Sequence, residues 1–174
     1  GSYYLHDLVC YNNNLLGATV GINAVTEFKS TGETSIVWWP KAVERNGKLV
    51  RDLNYLQLNG IAVGKNIETS YFCASNDKVE EPRPGDINFK VDKKGVIFEG
   101  KSREVVVSGL TRPHSLRFIK DNLWVNNSGY GEIGIINKNK YLSVKRFPGW
   151  TRGLVNYENY LFVGTSRLLD KFSS

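Results

Sequence analysis

Apolar residues along this chain recur at the two-residue period of a strand, and no window holds them at helical spacing for more than about two turns. Short segments such as Tyr71-Phe72-Cys73, Val105-Val106-Val107, Leu123-Trp124-Val125 and Tyr160-Leu161-Phe162-Val163 are rich in β-branched and aromatic residues. Clusters of Asn, Gly and Asp bound them, which predicts strands joined by tight turns. One helical turn over Ser166 to Phe172 is the single exception, so the pattern predicts an all-β protein. The charged stretch from Trp39-Pro40 to Leu53 reads as a loop, as does Asn76 to Asp86 with Pro82 and Pro84.

Beneath this pattern lies a repeat. His6-Asp7-Leu8-Val9-Cys10, Asn59-Gly60-Ile61-Ala62-Val63, His114-Ser115-Leu116-Arg117-Phe118 and Arg152-Gly153-Leu154-Val155-Asn156 align without gaps. Each opens on a polar residue, continues with a small or polar one, and has Leu or Ile third. Each then runs into a polar, Asn-bearing turn and a second apolar strand, the signature of a β-hairpin. The starts lie 53, 55 and 38 residues apart, against the roughly 40–50 residues of a four-stranded propeller blade. The expectation is a single β-propeller domain, or a propeller fragment, over residues 1–174, with about four antiparallel blades and room in a larger ring. A β-sandwich whose hairpins merely resemble one another is the alternative. Recurrence of the first polar position, and not only of the turn, favours the propeller.

That first position directs the search for a site. The innermost strand of each blade lines the central channel, so a polar residue at the same point of every repeat converges with its counterparts on one axis. His6, Asn59, His114 and Arg152 are the candidates, and both histidines of the chain fall in this set. A guanidinium fork matches a carboxylate or phosphate through two parallel hydrogen bonds. The imidazoles can bind the same anion or move a proton. Glu132 is the nearby carboxylate, and Trp150, beside Thr151-Arg152, is the tryptophan placed to stack on a ligand; Trp124 and one of the pair Trp38 and Trp39 read as core. In the structural alternative, Arg152 pairs with Asp7 or Glu132 and only ties blades together.

Other chemistries fit less well. A metal would draw on His6, His114 and Asn59 with Glu132 or Asp7, but Arg152 opposes a dication, so no metal or other cofactor is expected. Ser115 adjoins His114 on a strand and points to the opposite face, which removes it as a nucleophile with that base. Gly129-Tyr130-Gly131-Glu132-Ile133-Gly134 spells a dinucleotide fingerprint, yet a strand and turn follow it where a phosphate-binding helix is needed.

Composition sets the outer bounds. The 174 residues carry 23 Lys and Arg against 17 Asp and Glu, a net charge of +6, with 41% hydrophobic and 12% aromatic residues. This is the make-up of a folded chain and not of a disordered one. Basic residues are scattered, Lys93-Lys94 being among the longest clusters, so nucleic-acid binding is not expected. The longest apolar run, Ile36 to Trp39, falls far short of the roughly 18 residues of a membrane helix. Cys10 and Cys73 both lie in strand-like segments and read as two buried thiols, which with no secretory signal suits the cytoplasm. The Gly1-Ser2 start and the absence of Met read as a tag remnant on a fragment.

Three stretches, read in order, carry a family resemblance: Arg112-Pro113-His114-Ser115, then Leu123-Trp124-Val125-Asn126-Asn127-Ser128-Gly129-Tyr130-Gly131-Glu132-Ile133-Gly134, then Phe147-Pro148-Gly149-Trp150-Thr151-Arg152-Gly153-Leu154. Together with His6-Asp7 and Leu58-Asn59-Gly60-Ile61-Ala62 they resemble a family of conserved hypothetical propeller-like bacterial proteins known only as a domain of unknown function. The resemblance implies the propeller fold and the place of the site, and no reaction. It also implies longer relatives, of which this chain looks like the central blades. One departure is Gln57, where the family pattern has a His. Asn59-Gly60-Ile61-Ala62 is similar to the short motif of calcium-dependent lactonase propellers, whose Asn holds the channel metal.

Three functions follow as expectations: a propeller binding a small anionic or polyhydroxylated ligand at the channel mouth, a non-catalytic interaction scaffold, and a metal-dependent hydrolase or lactonase. An open propeller edge also predicts self-association or a partner chain completing the ring.

Overall fold

The computed structural model describes residues 3–51 and 53–167. Their regular structure is all β apart from four single 3-10 turns, and the strands form antiparallel sheets joined in sequence order. The first sheet is β1 (Leu5–Tyr11), β2 (Asn14–Thr19), β3 (Ala24–Phe28) and β4 (Thr34–Trp38), paired in that order. A small hairpin, β5 (Glu44–Arg45) and β6 (Lys48–Leu49), follows. The second sheet holds β7 (Leu58–Ala62), β8 (Tyr71–Ala74), β9 (Gly95–Glu99) and β10 (Val105–Leu110). The third holds β11 (Pro113–Ile119), β12 (Asn122–Asn127), β13 (Glu132–Asn137) and β14 (Lys140–Arg146). The last unit is a hairpin of β15 (Trp150–Tyr157) and β16 (Tyr160–Ser166).

Every repeat start read from the sequence therefore falls in the first strand of a sheet or hairpin. These first strands pack side by side in chain order, β1 on β7, β7 on β11 and β11 on β15. The fourth repeat is two strands where the sequence predicted a full blade, and the described residues form no closed ring. The helical turn expected over 166–172 falls mostly outside the described residues, and Ser166 itself ends β16. The loop predicted after Trp39 contains the β5–β6 hairpin, whose turn residues Asn46 and Gly47 both have positive φ, 52° and 71°. An Asn-Gly pair adopts that geometry at little cost, so the hairpin forms inside a charged stretch.

The core lies between the sheets. Leu16, Val25 and Trp38 of the first sheet pack on Leu58, Ile61, Phe72 and Phe98 of the second. Trp38 is buried, stacks on Phe72 with ring centroids 3.9 Å apart, and donates its indole N–H to the Gly100 carbonyl at 2.9 Å. Trp39 is half-buried, under the Arg103 guanidinium at 4.9 Å. A second core joins Cys73, Ile97 and Leu110 to Leu116, Leu123 and Val125 across the next junction. Trp124, expected in the core, is half-buried.

Among the described residues, apolar side chains are exposed at both ends of the row. Leu5, Leu8 and Leu15 are exposed at one end, and Val155, Tyr157, Tyr160 and Phe162 at the other. This corrects the reading of the cysteines: Cys73 is a buried free thiol, whereas Cys10 is free and exposed. Cys10 alternates with the half-buried Val9 and Tyr11 and, like Leu8, lies on the exposed side of β1.

Candidate functional site

Each first strand carries one residue more than its partner at the same point of the repeat. The register shifts fall between Leu5 and Leu8, Leu58 and Gly60, His114 and Arg117, and Arg152 and Leu154. A bulge of this kind turns side chains out of the regular alternation. The polar residues that open the four repeats sit in or beside these shifts, where the regular alternation of strand faces is broken.

Three of the candidates meet directly. His6 Nδ1 lies 2.8 Å from Asn59 Oδ1, while the Asn59 amide nitrogen donates to Ser75 Oγ at 2.9 Å. Because the amide oxygen only accepts, His6 carries its proton on Nδ1. The His6 and His114 rings stack with centroids 6.3 Å apart and planes 24° from parallel. Asn59 and His114 are buried, and His6 is exposed. Burial holds the His114 pKa well below its usual 6.5, and the neighbouring charges of Arg152, His6 and Arg112 push the same way, with the Asn59 backbone opposing. His114 is therefore a neutral imidazole at neutral pH.

Arg152 joins this group as a charge close enough to act on His114. Its guanidinium also lies against the Trp150 ring, 5.4 Å from the centroid, and that of Arg112 lies 5.1 Å from the same centroid. Burial, and for Arg152 the nearby Arg112, lower both pKa values. Among the described residues neither arginine is in an ion pair. The expected alternative partners are committed elsewhere. Asp7 binds Arg117 through two bonds of 2.6 and 2.7 Å. Glu132 accepts from Asn127 and Tyr141, at 3.5 and 3.4 Å, within its own sheet. None of those bonds brings Glu132 to the imidazoles.

Two determinants escaped the sequence reading. The first is the residue after each repeat start. Asp7 Oδ2 accepts the Ile61 N–H at 2.9 Å, and Ser115 Oγ accepts the Gly153 N–H at 3.0 Å, so the second position of one repeat holds the backbone of the next. Ser115 has a left-handed backbone (φ 50°), so the regular strand assumed for His114-Ser115 is broken there, and its hydroxyl is occupied by this bond. Gly60 is needed because a Cβ there would stand 2.9 Å from both Cys73 Sγ and the Leu116 nitrogen. The second is Arg112, whose motif Arg112-Pro113-His114 was visible but whose side chain was given no role.

A cavity of about 470 Å³ opens beside His6, lined also by Tyr4, Arg51, Asn54, Gln57 and Arg83. Gln57, the departure from the family pattern, thus faces the same cavity as His6. The glycine-rich 129–134 segment runs through a 3-10 turn directly into β13, with no helix to receive a phosphate. Among the described residues no three His, Cys, Asp or Glu side chains gather as metal ligands.

The family described as Domain of unknown function (DUF4915) matches the chain over residues 1–174, and the chain belongs to it. No curated protein matches the sequence. Among solved structures the chain is similar to the crystal structure of the computationally designed Ika8 protein, at 12% identity and a TM-score of 0.49, over 91% of this chain and 42% of that one. It spans less than half the length of that designed protein.

Proposed function

We propose that this member of the DUF4915 family is part of a β-propeller whose inner strands build a binding site for a small anionic ligand, polyhydroxylated or not. Three consecutive four-stranded meanders with their first strands packed in chain order support the propeller reading. The single observation that carries the ligand is electrostatic. Arg112 and Arg152 both lie against the Trp150 ring and close enough to repel one another, beside a neutral buried His114, without a carboxylate partner among the described residues. Two guanidiniums without a described counter-charge, beside the first strands of the sheets, form a site that an anion completes. Trp150 offers a stacking surface, and His6 and Asn59 offer directional hydrogen bonds to hydroxyl groups.

Calorimetric titration with a panel of small carboxylates, phosphates and neutral sugars tests this. The expected result is saturable binding of anions that Arg152→Ala weakens by about tenfold or more, the usual worth of a charge-assisted hydrogen bond. Equal binding by wild type and Arg152→Ala would remove the site.

The scaffold reading has its own support in the uncovered apolar ends. Val155, Tyr157, Tyr160 and Phe162 form one patch and Leu5, Leu8 and Leu15 another. In a propeller each blade packs against the next, so these ends call for further blades, a second copy or a partner chain.

A further inference from the structure

Resting on the anion-site reading, we propose that the ligand is a dianion of the phosphate-ester or dicarboxylate class, held between Arg112 and Arg152, and that its arrival brings a proton from solvent onto His114. A singly charged carboxylate is matched by one guanidinium fork. Here two forks reach one ring from separate parts of the chain, Arg112 just before β11 and Arg152 within β15, at 5.1 and 5.4 Å from its centroid. Neither is neutralised by a described carboxylate. Their mutual repulsion is felt at Arg152, so one negative charge leaves a net positive site and two balance it.

The consequence for His114 follows from what surrounds it. Its described charged neighbours are Arg152, His6 and Arg112, from β15, β1 and the residue before its own strand, and all three oppose a further positive charge. The Asn59 backbone, on β7, is the one group favouring it. Asp7, the acidic residue one position after His6, has both oxygens bound to Arg117 and is no counter-charge. Burial is the largest cause of its neutrality and these charges add to it; a dianion seated on the two arginines cancels their share, and its own negative charge offsets the cost of burying an imidazolium. The imidazole, stacked on His6 and closed off from solvent, then gains a proton and donates one more hydrogen bond.

Sulfate is the first probe, because it is dianionic throughout the working range and brings no proton of its own. Ethyl phosphate, succinate, acetate and glucose complete the set, titrated calorimetrically in buffers of different ionisation enthalpy so that proton uptake is read directly. The expected result is that sulfate, ethyl phosphate or succinate binds about tenfold or more tighter than acetate. Uptake should approach one proton per site near pH 7. Sulfate affinity should rise as pH falls from about 8 to 6. Arg112→Gln should remove the preference for two charges, and His114→Gln should keep the preference and abolish the uptake. Acetate or glucose binding as tightly as the dianions overturns the inference while leaving an anion or polyol site standing. Dianion binding without proton uptake overturns the role of His114. Absence of binding by every probe overturns the site itself. Should His114→Gln fail to fold, the pH dependence of sulfate affinity in the wild type decides the proton coupling alone.

Discussion

Replacing Asp7 with alanine should destabilise the protein more than any other single loss of a surface-accessible charge, and the structure says by how much. The carboxylate accepts four hydrogen bonds: Leu8 N–H at 3.1 Å, Ile61 N–H at 2.9 Å, and the two Arg117 bonds at 2.7 and 2.6 Å. It is only 11% exposed and Arg117 27% exposed, so solvent recovers little of what is lost. Alanine leaves the Ile61 N–H without its partner and the guanidinium without a counter-charge, although Arg117 keeps the carbonyls of Ile61 and Leu116. An orphaned backbone donor costs about 1–3 kcal/mol, and removing one member of a buried pair about 3–5 kcal/mol. The partial exposure and the two retained carbonyls bring the total to about 3 kcal/mol. The assay is urea unfolding of the wild type, Asp7→Ala, Arg117→Ala and the double variant, with a coupling of about 1.5–3 kcal/mol expected from the cycle. Because the pair spans β1, β7 and β11, Asp7→Ala should also loosen the stack of His6 on His114. A loss below about 1 kcal/mol with no coupling would refute the claim that this bridge ties β1 to β7 and β11.

Four further outcomes are expected. Stability should fall as pH drops below about 6.5, because the unfolded chain takes up a proton that buried His114 refuses; the slope approaches 1.4 kcal/mol per pH unit, and His114→Gln should flatten a denaturation series run between pH 7.5 and 5. Gly60→Ala should cost about 2 kcal/mol or more, since its Cβ meets β11 backbone at 2.9 Å that cannot yield; thermal unfolding reads it, and an unchanged midpoint contradicts the close approach of the strands. A thiol reagent should titrate Cys10 in the native protein and reach Cys73 only after unfolding, because burial pushes the Cys73 thiol up and closes it off; two fast native thiols would contradict the core. Light scattering should show concentration-dependent association that Phe162→Glu with Tyr157→Glu suppresses, and a stable monomer of the unsubstituted chain would count against the uncovered ends as contact surfaces.

Much of the strand pattern was legible because it rests on period-two alternation and on turn residues with one preferred geometry. Leu123 to Val125 and Tyr71 to Cys73 are strands for that reason. The four aligned segments begin in β1, β7, β11 and β15, strands that pack side by side in chain order. The bulges were not legible, because an extra residue in one strand leaves no mark in composition; the left-handed backbone at Ser115 has no glycine to announce it. A pair of similar turns went unread. Thr19-Val20-Gly21-Ile22-Asn23 and Asn127-Ser128-Gly129-Tyr130-Gly131 each end a second strand in a 3-10 turn closed by a left-handed residue. Burial of Cys10 was misjudged because an apolar strand face says nothing about whether a neighbouring sheet exists to cover it. Arg112 was passed over because its proximity to Trp150 arises across two repeats, 38 residues apart, and not along any one of them.

The most direct test of the proposed site is nuclear magnetic resonance of the two imidazoles, the only histidines in the chain, during titration with ethyl phosphate. Saturable shifts of both His6 and His114 with one common dissociation constant, lost in Arg152→Ala, are the predicted result. Unmoved imidazoles, or shifts that persist unchanged without Arg152, would contradict it.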